Sequence, residues 1–219
     1  MRQKVHCCLA LMAAGLMMAW PSTAGAQLGG LPGLVTPTAK STASTIVGEG
    51  SAVQATIFGL PTPLGTLGTT TTTLADTGTL STVNNALDAS LGTGSVAGLI
   101  TAETLSAGTI SWPNQVDSYA SVGNLNVKLA GVTIYADEAL AEASTAASGS
   151  ASYLSNLSIN GLPITVSGAP NQTISIPGGQ VVINEQTVSS TGAKVVNALH
   201  VTVGGVADVV IASATAGIQ

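Results

Sequence analysis

Few residues in this chain can do chemistry, and the densest group lies near its C-terminal end. Asn184-Glu185-Gln186 and Asn197-Ala198-Leu199-His200 are set among β-branched residues, and Lys128 and Lys194 are the nearest amines in sequence. A desolvated lysine loses its proton more readily and becomes a nucleophile. Lys128 or Lys194, with Asn184 or Asn197 as acceptor and Glu185 as the assisting acid, therefore have the residue types of an intramolecular isopeptide bond. The competing expectation is plainer: Asn and Glu at a strand end bind loop backbone. His200 stands alone after residue 26. A lone imidazole is neither a triad nor a zinc centre, which needs three protein ligands. It is expected to be structural and bonded to a neighbouring loop, with Leu199 and Val201 on the opposite face.

Asp137, Glu138 and Glu142 form the one acidic cluster. Calcium takes several oxygen ligands, but no segment has the spacing of an EF-hand loop. Residues 137 and 138 of a strand should point to opposite faces, so a solvated edge that discourages strand pairing is expected. Asn156-Leu157-Ser158 and Asn171-Gln172-Thr173 match the glycosylation pattern at a frequency expected of a Ser/Thr-rich chain. An acid-based hydrolase would have to draw on Glu185, Asp137 or Asp208, and no pair of carboxylates stands out. After residue 26 the aromatics are Phe58, Trp112, Tyr119, Tyr135 and Tyr153, with nothing in the sequence to cluster them for stacking on sugars. No catalytic residue, metal ligand or cofactor site is assigned.

The elements that must position these residues read as β throughout. Leu28–Thr45 is a Gly/Pro/Thr-rich lead-in. Ser51–Phe58 alternates, with Val53, Ala55 and Ile57 on one face. Leu60–Thr73, with two prolines and five consecutive threonines, reads as a long loop or edge segment. Thr79–Leu91 fits a short helix around Val83–Leu87 or a further strand. Val96–Ile110 alternates again, and Trp112-Pro113-Asn114 is a turn.

The second half predicts four hairpins. Leu125–Leu129 and Val132–Ala136 flank Ala130-Gly131. Leu157–Ile159 and Pro163–Val166 flank Asn160-Gly161, whose residues suit the positive φ angles of a type I′ turn. Thr173–Ile176 and Gln180–Ile183 flank Pro177-Gly178-Gly179. Val195–Val203 and Val206–Ile218 flank Gly204-Gly205. A faint echo links Gly123-Asn124-Leu125-Asn126-Val127, Ser155-Asn156-Leu157-Ser158-Ile159 and Asn197-Ala198-Leu199-His200-Val201. Its unequal spacing argues against a solenoid of fixed period. An antiparallel β-sandwich of hairpins over residues 45–219 is the predicted fold, with a β-solenoid as the alternative.

The opening residues say more about place than about reaction. Arg2 and Lys4, an apolar run Cys8–Trp20, and Ala24-Gly25-Ala26 before Gln27 have the pattern of a cleaved secretory signal over residues 1–26, followed by the lead-in at 27–44. The run is too short for a permanent membrane helix. Cleavage leaves 193 residues, without cysteine and so without disulfides, carrying three lysines, no arginine and ten carboxylates. Three scattered lysines cannot neutralise a phosphate backbone or hold an anionic bilayer, which excludes nucleic acid and acidic membrane surfaces as partners. No membrane span is expected after cleavage. Five aromatics cannot supply the girdles of an outer-membrane barrel.

The order Gly131–Asp137, Asn160-Gly161-Leu162-Pro163, Ala169–Ile174, Val182–Gln186 and Val196–Val201 resembles the bacterial choice-of-anchor P family of exported proteins. The resemblance covers about Ser44–Ile218 and implies a surface or secreted location, with no established activity. The chain ends Ala214–Gln219 without the sorting signal of that family, so free secretion or a periplasmic location is expected in place of a C-terminal anchor. The functional expectation is a non-enzymatic exported β-domain in surface attachment, matrix or self-association, its partner itself or an extracellular polymer. A polymer hydrolase or glycan-binding module is the alternative.

Overall fold

A computed structural model describes residues 45–61, 67–146 and 149–219, all within one compact unit, Thr42–Gln219. The expected signal (1–26) and lead-in (27–44) lie outside the described residues, as do residues 62–66 of the Leu60–Thr73 segment. Two antiparallel sheets form a β-sandwich, and neither closes into a barrel. The first sheet joins the two ends of the unit. β1 (Ile46–Pro61) lies between β2 (Leu67–Asp76) and β13 (Ala207–Ile218), followed outward by β12 (Lys194–Val203), β11 (Gly179–Val188) and β10 (Gln172–Ile176). The middle sheet is a meander of β3 (Asn85–Val96), β4 (Ile100–Trp112), β5 (Gln115–Leu129) and β6 (Val132–Ser144). Its last position is filled by β7 (Ala151–Ser155) and β8 (Ser158–Ile159), both paired to β6, with the short β9 (Leu162–Pro163) beyond.

The four hairpins of the second half occur where turn chemistry puts them. Ala130 and Gly131 take φ of 49° and 80°, and Asn160 and Gly161 take 52° and 77°, the left-handed pair a type I′ turn requires. The five threonines form part of β2, an edge strand, since β-branched side chains suit an extended backbone. Thr79–Leu91 resolves without a helix: Leu80 bridges Gly48, and β3 begins at Asn85. Val96–Ile110 is not one strand. Ala97 and Gly98 turn at φ of 51° and 67°, closing a hairpin with Val96 opposite Ile100.

The core lies between the sheets, built of Ala, Val, Ile and Leu from β1, β12 and β13 against β4, β5 and β6. The sheets approach closely at β1, where a side chain on Gly50 would lie 2.5 Å from the Tyr119 carbonyl oxygen. That site demands glycine for space.

Both sheets are creased, and the crease breaks the two-residue alternation. In β6 the core receives Val132, Ile134 and Ala136, then Ala139, Ala141 and Ala143. In β5 it receives Val116, Ser118, Ala120 and Val122, then Leu125, Val127 and Leu129. Left-handed residues line the crease, Thr104 (φ 48°), Asn124 (φ 47°) and, between β7 and β8, Asn156 (φ 51°) in the middle sheet, with Ala75 (φ 46°), Asn184 (φ 52°) and Ala212 (φ 51°) in the other, while β6 and β12 change side without one. Asparagine tolerates this conformation best after glycine. The sequence echo is explained in its first two copies, because Asn124 and Asn156 are crease residues and the leucine after each returns to the core.

Candidate functional site

The crease assembles a polar line on the outer face of the first sheet. His200 faces outward from β12, opposite Leu199 and Val201 in the core. Strict alternation would send Asn197 inward with them. The crease beside Ala198 instead lets Asn197 and its cross-strand partner Glu185 share the outer face with His200. Glu185 Oε2 accepts from Asn197 Nδ2 at 2.6 Å and lies 2.9 Å from His200 Nδ1. His200 Nε2 lies 3.0 Å from Asp208 Oδ1 on β13. The expected loop partner for His200 is thus replaced by carboxylates on both neighbouring strands.

An imidazole with an acceptor on each nitrogen satisfies both only when doubly protonated. Burial pulls the His200 pKa down, but the hydrogen bonds and charges of Glu185 and Asp208 outweigh it and raise the pKa above the usual histidine value. Asp208 borders an open cleft lined by Phe58, Gln180, Thr202 and the Gly204-Gly205 turn. The line makes a carboxylate–imidazole–carboxylate strap across three strands.

The isopeptide set comes together only in part. Asn197 and Glu185 meet, and Asn197 Oδ1 is buried without a hydrogen bond. Lys194 Nζ instead crosses to the other sheet and donates to the Ser144 carbonyl at 3.0 Å. Lys128 is exposed on β5. Asn184 is tied by Nδ2 to the Gly168 carbonyl and by Oδ1 to Gln186 Nε2, which is the loop binding expected of that cluster.

The acidic cluster is dispersed. Asp137 accepts from Tyr135 Oη at 2.6 Å and from Asn156 Nδ2. These bonds hold its carboxyl below the usual range, and the bond to Asp137 raises the Tyr135 phenol above its own. Glu138 does not point opposite to Asp137 into the core, as alternation predicts, because the crease falls there and the core resumes at Ala139. Among the described residues no three His, Cys, Asp or Glu side chains are grouped to hold a metal. The Asn156 amide is engaged by Asp137, and Asn171 Oδ1 accepts from the Gln186 backbone N–H.

The register does cluster the aromatics. All five of Phe58, Trp112, Tyr119, Tyr135 and Tyr153 are exposed large side chains. On β4, Gly108, Ile110 and Trp112 alternate with Thr109 and Ser111 of the core side and so face outward. Gly108 pairs with Tyr119, Tyr119 with Glu142, and Leu140 with Tyr153. Trp112, Ile110, Tyr119, Leu140 and Tyr153 therefore run diagonally over four strands on one face. Strand spacing and rise place Trp112 about 14 Å from Tyr119, and Tyr119 about 12 Å from Tyr153.

Tyr119 lies flat on this face. A side chain at Gly108 would come within 2.5 Å of Tyr119 Cε1 and 2.8 Å of Cζ, so the ring occupies the space a side chain would fill. Gly108 was the missing residue in the sequence reading. Its signal was a lone glycine inside an otherwise alternating strand, a mark of close approach. In the same cross-strand row Asp88 pairs with Gly108 and Glu142 with Tyr119. Compared with protein-family models, with curated proteins and with solved structures, the chain finds no match.

Proposed function

We propose that this is an exported, non-enzymatic β-sandwich that serves attachment at the cell surface or in an extracellular matrix, with the outer face of the middle sheet as its contact surface. The observation that carries the reading is the diagonal stripe of Trp112, Ile110, Tyr119 and Tyr153, exposed on a sheet face. Large apolar side chains exposed together on one sheet face mark an interaction site. The signal-like opening, the scarcity of lysine and the resemblance to the choice-of-anchor P family support the same reading. A hydrolase needs two carboxylates facing across a cleft. Glu185 and Asp208 are bridged by His200, which favours a structural use of both.

The test is fractionation of the producing cells with intact-mass measurement, for the natural chain and for a Tyr119→Ala/Tyr153→Ala double variant. The expected result is a chain of residues 27–219 held by the envelope or matrix and released to the medium by the double variant. Recovery of the uncleaved chain inside the cell would overturn the reading.

A further inference from the structure

We propose that the outer face of the middle sheet binds a polysaccharide carrying free amino groups, with Tyr119, flat on Gly108 between Asp88 and Glu142, as its central subsite. This deepens the attachment reading and rests on it for its biological setting. The geometry is that of a stacking platform. One face of the Tyr119 ring is closed by the β4 backbone and the other is open, the side chain being 43% exposed. Rings that lie flat on a sheet meet the apolar faces of sugar rings, and Trp112 and Tyr153 lie far enough away to meet other sugars of one extended chain. Gly50 of β1 supports the platform from beneath, packed on the Tyr119 carbonyl.

Charge selects the kind of glycan. Asp88 and Glu142 flank the platform in its own cross-strand row, both exposed, and among the described residues neither has a hydrogen-bonded or ion-paired partner. Asp117, one pair further along on the same face, is held by Ser144 Oγ at 2.5 Å and Gln115 Nε2 at 2.7 Å. The lysine of this face, Lys128, lies nine residues along β5, about 30 Å away and across the crease. Lys194 Nζ, on the Ser144 carbonyl beside Asp117, offsets one of the three carboxylates, while Asp88, Glu142 and the electron-rich ring repel an anionic polymer and attract an ammonium group. A second copy of this chain would bring the same three carboxylates against them, which disfavours self-docking on this face.

The test uses the full chain, purified from an exporting host. It measures binding to chitosan, to fully N-acetylated chitin and to cellulose, at mildly acidic pH where free amines carry charge. Binding to chitosan well above that to the other two is expected, weakening as salt is added. Tyr119→Ala should reduce it about tenfold. Gly108→Ala should do the same with unchanged melting temperature, because its Cβ meets only the movable end of the Tyr119 ring. Asp88→Asn with Glu142→Gln should erase the preference for chitosan. Equal binding to all three glycans would overturn the choice of amino sugars. Chitosan binding indifferent to Gly108→Ala and Tyr119→Ala would overturn the site. Dimerisation through this face, without glycan binding, would overturn both. None of these outcomes depends on where the protein resides, so failure of the attachment reading shows up separately in the fractionation.

Discussion

The two outer faces of the sandwich treat their charges in opposite ways. On the first sheet Glu185 and Asp208 share one imidazole, and Asn197 adds a hydrogen bond, so both carboxylates are engaged within the fold. On the middle sheet Asp88 and Glu142 stand beside an exposed ring without a described partner. With so few charged residues, the fold has used the one histidine among the described residues where it stitches three strands together. The other face leaves Asp88 and Glu142 without a described partner beside its central ring. The difference separates charge used to hold the structure from charge available to a ligand.

The largest effect would erase the distinction altogether. Gly50→Val would force a branched side chain against the Tyr119 carbonyl between the sheets, at a cost of about 3 kcal/mol. Chemical denaturation should show the loss, with both faces weakened together. The comparison is drawn more finely by His200→Gln, which leaves Glu185 and Asp208 without their shared cation. It should cost about 1 kcal/mol, since the group is only partly buried. Asp88→Asn or Glu142→Gln should move stability by less than about 0.5 kcal/mol. Equal costs on the two faces would break the contrast.

The strap also carries a pH signature. His200 has a raised pKa in the folded state, so its contribution is complete below the unfolded histidine value and fades as pH climbs through the folded one. Melting temperature should therefore decline over that window in the natural chain and flatten in His200→Gln. Asp137 works in the opposite sense: its lowered pKa gives a contribution present above the unfolded aspartate value and lost in acid. The crease offers a gain where the other variants lose. Thr104 is β-branched and left-handed at φ 48°, so Thr104→Gly should relieve strain and raise stability by about 1 kcal/mol or less.

What could be read from sequence follows from where turn chemistry is explicit. Asn160-Gly161, Ala130-Gly131, Pro177-Gly178 and Gly204-Gly205 announce their hairpins, because few residues accept positive φ in a two-residue turn. Ala97-Gly98 carries a weaker signal, and flanking Val96 and Ile100 disguised it as continuous strand. The crease is hidden for a deeper reason. Alanine, threonine and asparagine all occur in ordinary extended strands, so Ala75, Thr104 and Ala212 give no hint of left-handed backbone, and each such residue shifts the alternation by one. In β6 and β12 the side changes without a left-handed residue, at Asp137-Glu138 and beside Ala198, which turns Glu138 outward and hides the common face of Asn197 and His200. The polar strap and the aromatic stripe needed cross-strand register, which links residues on neighbouring strands such as Glu185 with His200 and Gly108 with Tyr119. The residue types of Glu185, His200 and Tyr119 were visible in the sequence, but their neighbours were not.

The two ends of the unit leave from one corner. Thr45 and Gln219 exchange both backbone hydrogen bonds at 2.9 Å, and β1 then runs antiparallel to β13 along their length. A pull applied between these ends would load that ladder one rung at a time, as a zipper is loaded, instead of sharing the force among all rungs as in shear. An attachment bearing load through both ends would open at low force. One bearing it between a single end and the sheet face would not meet this weak direction, and the orientation of the tether becomes a mechanical property of the protein.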